Sequence, residues 1–359
     1  MDIEFHYYMT YLIAARAGFP PAEAEVIAHS AQSVDVNHVL IAVSRGTPDA
    51  YDNAISQTMD ITRAHDDLRI YPVFHFIPGD PHAPSAARKD GVLDPWVTTP
   101  NSPLANSMLQ SAFASQDLYR IGVSAHGYVD TWAHQNFIGR RDGFNSMPVD
   151  GNAVVAATQD VLDALLPIGH GAAQHKPDLP GLVWTDERLV ADGSVIENRA
   201  RFLDAAKHLF LGLAKYRQPA ATDEALEAEA ASLCADLNED VGPQDDANAL
   251  IAPRQARYLA RAASPAYGGR PMPIYDDSAW FNTALNEDRV SVLVALQEKA
   301  AHLLGDYGDV VMAGERIDCT WRDRATYQNS AWYKFQEAVK SHLDECWDIL
   351  TAEKIPGLS

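Results

Sequence analysis

Cysteine is scarce and unpaired. Cys234, Cys319 and Cys346 are odd in number and form no CxxC spacing, so no disulfide framework is expected and the thiols read as reduced. Positive charge is the next shortage: 28 Lys and Arg stand against 49 Asp and Glu, a formal net charge of −21. Such a chain lacks the basic footprint that broad binding to DNA, RNA or an anionic membrane requires. A phosphate-bearing substrate held through divalent cations stays compatible, because the ions reverse the local sign. Long apolar runs are missing as well, with nothing near the roughly 18 to 20 residues of a membrane span. Met1-Asp2-Ile3-Glu4-Phe5-His6 is acidic where a signal peptide carries Lys or Arg, and no apolar segment follows. These absences lead to the expectation of a soluble, cytoplasmic protein. Sustained period-two alternation, internal repeats and low-complexity tracts are absent too, which favours an all-α fold over α/β.

What is present is ample apolar material, 47% of 359 residues, enough for one large helical domain over residues 1–359. Helices are expected over Tyr7 to Ala17 and Ala22 to Asp35, the first stopped by Gly18 and the second launched by Pro20-Pro21. Asp49 to Leu68 is a further expected helix, and the proline-rich stretch from Tyr71 to Pro103 an ordered loop. Leu109, Ala112, Phe113, Leu118, Ile121, Ala125, Tyr128 and Trp132 recur at three and four, so Leu104 to Phe137 reads as one long buried helix. Ala153 to Ile168, Ile196 to Tyr216, Asp223 to Leu237, Asp246 to Ala263, Ser278 to Leu304 and Thr326 to Ala352 complete the helices. Gly268 to Asp277 reads as a loop packed over something.

The sharpest chemical signal is Ala125-His126-Gly127-Tyr128-Val129-Asp130-Thr131-Trp132-Ala133-His134. Steps of four advance a helix by about 40° net, so His126, Asp130 and His134 share one face. The two histidines stand about 12 Å apart along the axis, too far for one ion. One metal between His126 and Asp130 and another between Asp130 and His134 fits better, with Asp130 shared. A solvated polar stripe has the same spacing, but Tyr128, Trp132 and Phe137 give the segment a buried character, and a buried Asp needs partners.

Four weaker signals accompany it: His6 in Glu4-Phe5-His6-Tyr7-Tyr8, Asp35 near the end of the second helix, His75 in Phe74-His75-Phe76, and His170 in Gly169-His170-Gly171 with His175 and Asp178 following. Asp35 opposes the helix dipole and so needs a local reason to be there. Each of the others, taken alone, reads as an ordinary core or cap residue, and it is their order that carries weight.

Their order resembles the zinc-dependent phospholipase C superfamily, which includes the single-strand-specific zinc nucleases. Those proteins are all-helical and hold three zinc ions through an ordered set of His and Asp residues. The matching positions here are His6, Asp35, His75, His126, Asp130, His134 and His170. Phe5-His6-Tyr7-Tyr8-Met9-Thr10 and Asp130-Thr131-Trp132-Ala133-His134-Gln135 also resemble an uncharacterised bacterial family associated with that superfamily. The resemblance covers residues 1–178, the metal-binding half; the helices over 196–352 are expected to complete the bundle. It implies a zinc phospholipase C type of bundle with two or three zinc ions.

This sequence departs from the pattern in three places. The secreted enzymes use the amine and carbonyl of a processed N-terminal residue, whereas here Met1 lies five residues before His6, leaving Asp2 or Glu4 as substitutes. Asp130 and His134 are four apart instead of six or more. Gln174 stands four after His170, where the family has a carboxylate, so Asp178 or His175 is the alternative ligand, with His208 a further substitute.

The resemblance implies a metal-dependent hydrolase of a phosphoric ester, with Asp35 as bridging ligand or general base and Asp130 as the other catalytic carboxylate. Gln135, Asn136 and Arg141, with Arg140, follow directly on the metal helix and are the candidate substrate contacts. Val183-Trp184 and Tyr267 are candidates for an apolar cleft. The same ligand types also suit an iron site with redox chemistry, although the Glu-xx-His motifs of diiron bundles are missing from the metal-bearing helix. A non-catalytic, metal-stabilised binding protein is the third reading.

Overall fold

The computed structural model describes residues 1–58, 64–147, 168–242, 251–289, 291–292 and 316–358. Its N-terminal turn, Glu4–Met9, is a π-helix that continues into α1 (Thr10–Arg16). Pro21 opens α2 (Pro21–Val36) at its first position, where a missing N–H costs nothing. α3 is Ala64–Phe74, α4 Pro103–Ser115 and α5 Leu118–Ala133. In the second half, α6 is Asn198–Arg217, α7 Asp223–Val241, α8 Ile251–Ala262 and α9 Ala331–Ala352.

The fold is mostly helical but not purely α. β1 (Ile41–Val43) lies between β2 (Tyr51–Asp52), antiparallel to it, and β5 (Ile317–Cys319), parallel to it; β3 (Val183–Thr185) and β4 (Val195–Glu197) form a separate hairpin. Strands of two or three residues are too short to show alternation in sequence, and β1 is buried throughout.

Several element boundaries differ from those expected. Leu104 to Phe137 is two helices: Gln116 adopts a left-handed φ of 57°, and Asp117 then caps α5 by accepting from the Tyr119 N–H. Tyr51 and Asp52 are strand where a helix over Asp49 to Leu68 was expected. α3 in turn runs on to Phe74 with Pro72 inside it, into the expected loop. Ile196 belongs to β4, so the next helix starts at Asn198. The helix expected from Ser278 is a short one, Ala279–Ala284, ended by an extended Leu285. Residues 59–63, 153–167, 246–250, 290 and 293–304 of the expected helices lie outside the described residues.

α5 is buried from Arg120 to Ala133 and forms the axis of the structure, with α2, α4, α6 and α9 against it. One apolar cluster runs from Met1 and Phe5 through Phe74, Leu109, Trp132 and Phe202 to Val339 and Leu350. Gly122 brings α2 onto α5: a methyl there would lie 2.3 Å from the Ile27 carbonyl oxygen. Gly127 does the same for α3, where a methyl would meet the Phe74 carbonyl at 2.8 Å. The loop Gly268 to Asp277 packs as expected, with Tyr7 Oη donating to the Pro273 carbonyl at 3.1 Å and the Tyr275 ring against Tyr7 and His29. Among the described residues, no helix is long and apolar enough to cross a membrane.

Candidate metal centre

The close contacts at Gly122 and Gly127 bring the ends of α2 and α3 to the face of α5 that carries His126 and Asp130. All seven expected ligands converge there. His126 Nε2 lies 3.1 Å from His75 Nδ1 and 3.5 Å from Asp35 Oδ1. Asp130 faces two ways, with Oδ2 3.2 Å from His126 Nε2 and Oδ1 3.2 Å from His6 Nε2. Asp35 also spans the two sides: Oδ1 is 3.9 Å from His75 Nδ1 and Oδ2 is 4.0 Å from His6 Nε2. A further group forms where Asp178 meets His134 Nε2 at 3.2 Å and His170 Nε2 at 3.4 Å. Among the described residues, three groups could hold a metal ion: His6, His126 and Asp130; Asp35, His75 and His126; and His134, His170 and Asp178.

Donor chemistry fits a cation at these places. A carbonyl oxygen only accepts, so a ring nitrogen facing one must carry the hydrogen. His126 Nδ1 faces the Ala31 carbonyl at 2.8 Å, His75 Nε2 that of Ser56 at 2.9 Å, His134 Nδ1 that of His75 at 2.8 Å and His170 Nδ1 that of Gln174 at 2.8 Å. In the neutral rings the opposite nitrogen presents a lone pair to the cluster, the outer-shell arrangement of metal-ligating histidines. Nitrogen and carboxylate donors sit about 2.0–2.2 Å from zinc, which puts tetrahedral neighbours ~3.3–3.6 Å apart, close to the separations observed. Both ring nitrogens of His6 and Oδ2 of Asp130 are buried without a hydrogen-bond partner, a cost that a coordinated cation removes.

The electrostatics mark the same place for positive charge. The Met1 amine is buried 2.5 Å from Asp130 Oδ1 and 3.3 Å from Asp178 Oδ1. Burial alone would lower its pKa, but Asp130, Asp178 and Asp35 together raise it to about 11. Burial would raise the Asp130 carboxyl, yet His134, the amine, His126 and His6 hold it well below the usual range. His126 is pulled up against burial by Asp130 and Asp35, whereas burial and the neighbouring His126 push His6 down to about 4.

Sequence spacing does not give every pairing among these residues. Sharing of Asp130 between His126 and His134 was expected; in the structure its oxygens face His126 Nε2 and His6 Nε2, and His134 approaches Oδ2 at 3.6 Å only through Nδ1. α5 ends at Ala133, and His134 sits at its C-cap with Nδ1 tied to His75, so Nε2 swings to Asp178. Asp178 is the carboxylate beside His170; Gln174 supplies only its carbonyl, and His175 is exposed. His208 is remote, on α6, against the Asp204 carbonyl. Neither expected substitute for the amine reaches the cluster: Asp2 accepts from the Glu4 N–H, and Glu4 is bound by Arg254.

The remaining candidates are engaged in the fold. Gln135 Nε2 donates to the Trp132 carbonyl, Asn136 Nδ2 to Asp186, and Arg140 to Asp94. Arg141 bridges through its backbone to Ile168, two residues before His170. Tyr267 Oη donates to Asp236, away from the cluster. Trp184 Nε1 donates to Asn198 Oδ1, and Asn198 Nδ2 donates to the Lys176 and Leu179 carbonyls, bracing the turn that delivers Asp178. No local sequence signal pointed to Asn198 or Arg254, because both act from the second half of the chain.

Fold and site together define a mostly helical protein with a buried, three-part His and Asp centre built around one axial helix. The chain belongs to the family of unknown function DUF6765, whose model matches residues 1–350. No curated protein and no solved structure matches it.

Proposed function

We propose that this protein is a zinc-dependent hydrolase of phosphoric esters, of the phospholipase C and zinc nuclease type in its bundle and its centre. The observation that carries the reading is the set of four histidines whose tautomers are fixed by backbone carbonyls so that their free nitrogens converge on Asp35, Asp130 and Asp178. Asp35, His75 and His126 would hold one ion, His6 and Asp130 a second, and His134, His170 and Asp178 a third. Zinc at such positions supplies Lewis acidity, bringing the pKa of water toward neutrality and neutralising phosphoryl oxygens.

The chain's own residues divide the remaining work. Asp130, buried and held ionised with one oxygen toward His6 and the other toward His126, would serve both of those positions. Asp35 is the most exposed carboxylate of the cluster, its side chain 28% accessible, and is suited to accept the proton of an attacking water at Oδ2. His170 and Asp178, their side chains 22% and 12% accessible, are the other partly exposed members of the cluster. Three divalent ions outweigh the three carboxylates, which makes this acidic chain receptive to an anionic ester.

Elemental analysis of protein purified without chelator, joined to hydrolysis of a chromogenic phosphodiester, tests the reading. The expected result is three zinc per chain and measurable turnover, both lost in large part with Asp130→Ala. A metal-free wild type, or an Asp130→Ala variant with full metal and full activity, rejects it.

A further inference from the structure

We propose that Arg254 is a positioning residue for the metal position at His6 and Asp130, acting through Glu4; this inference rests on the metal centre proposed above. Glu4 and His6 are two residues apart, on opposite sides of the Glu4–Met9 turn. His6 faces Asp130, while Glu4 faces α8, where Arg254 grips both of its oxygens: Nε donates to Oε1 at 3.0 Å and Oε2 at 2.7 Å, and Nη2 to Oε1 at 2.8 Å. Tyr258, one turn further along α8, donates its hydroxyl to Oε2 at 3.1 Å. Glu4 and Arg254 are both 0% exposed.

A buried ion pair is an expensive way to fill a core, since apolar side chains of similar volume pack as well or better. What the guanidinium adds is direction: its planar fork fixes a carboxylate in orientation as well as in distance. Here that orientation sets the rotation of the N-terminal turn. The residues before Glu4 hold only to the cluster and to the turn itself: the Met1 amine to Asp130 at 2.5 Å and Asp178 at 3.3 Å, Asp2 N to the Asp178 carbonyl at 3.3 Å, and Asp2 accepting from the Glu4, Phe5 and His6 N–H groups. Rotation of the turn about its axis would carry His6 and the amine away from Asp130 together. The clamp leaves the other two positions alone, because α2, α3, α5 and the 168–178 loop supply their donors. A helix 250 residues away thus completes a site whose ligands all lie within the first 178.

The test replaces the pair by apolar side chains, Glu4→Leu with Arg254→Met, and counts metal. The expected result is a protein with wild-type far-UV circular dichroism and a cooperative thermal transition that holds two ions per chain instead of three. Three ions in the folded double variant overturn the positioning role while leaving the metal centre standing; a wild type without metal overturns both. If the double variant fails to fold, Arg254→Lys decides. It keeps the charge but not the fork, and one of three ions should leave at a chelator concentration at least tenfold lower than in wild type. An unchanged chelator titration overturns the proposal.

Discussion

His126 Nε2 and His75 Nδ1 face each other across 3.1 Å, each on a ring whose other nitrogen is committed to a backbone carbonyl. Two lone pairs at that distance repel unless a positive charge stands between them, and in the metal-free chain a proton is the only candidate. His126 is the ring suited to carry it, because the carboxylates of Asp130 and Asp35 raise its pKa against burial. The second pair of histidines, His134 and His170, turns its free Nε2 atoms to Asp178; His134 Nδ1, 3.6 Å from Asp130 Oδ2, is committed to the His75 carbonyl, so the pair forms a unit of its own.

That separation predicts unequal losses. His170→Ala should remove one ion per chain and leave two, because only the Asp178 group depends on it. Asp130→Ala should remove at least two, since its oxygens serve both the His6 and the His126 sides. Metal stoichiometry of the two variants, measured side by side, checks this; equal losses would mean that the three groups bind as one unit.

The His126, Asp130, His134 spacing was legible because a helix fixes which residues share a face, and His6, Asp35, His75 and His170 were legible as an ordered set. What one-dimensional spacing could not carry was where α5 stops. Once the helix ends at Ala133, the next residue is free to turn its ring toward Asp178. The break at Gln116 was hidden by an apolar pattern that runs across it without a Gly or Pro. β2 and β5 escaped notice because their pairing with β1 is decided by residues far apart in the chain. Glu4 drew attention only as a substitute ligand, because its partner Arg254 sits in a stretch with no local motif.

Close packing of α2 on α5 makes Gly122 a second point of test. Gly122→Ala puts a methyl 2.3 Å from the Ile27 carbonyl oxygen and 2.6 Å from Ser30 Cβ, so α2 must withdraw. Withdrawal strains the Ala31 carbonyl to His126 hydrogen bond and moves Asp35. The expected result is destabilisation of about 1–3 kcal/mol, in the range of overpacked cores, with weaker metal retention. Gly212→Ala is the control: it lies inside α6, where the nearest atoms to a new methyl are at an ordinary 3.6 Å. It should stabilise by up to about 1 kcal/mol through helix propensity. Chemical denaturation of both variants checks the opposite signs.

Acid sensitivity of the metal-free protein should trace in part to a histidine outside the cluster. His342 on α9 is 1% exposed, with its ring against Phe74 and 3.5 Å from the Cys346 sulfur. Burial first, and then the Arg120 guanidinium, lower its pKa to about 3, with Glu345 opposing. The unfolded chain takes up a proton near the ordinary value of 6.5, while the folded chain does so only near 3. Between those values the unfolded state holds more protons, so the stability His342 contributes is complete above pH 6.5 and drains away as pH falls toward 3. At pH 5 the loss is about 2 kcal/mol. His342→Leu removes that proton uptake. Its unfolding free energy, measured by denaturant titration with chelator present, should therefore fall about 2 kcal/mol less than the wild type's between pH 7.5 and pH 5. Buried His29, lowered to about 4 by burial, titrates the same way in both proteins and cancels from the comparison. Parallel pH dependences in the two proteins would show that His342 is not a source of the acid sensitivity.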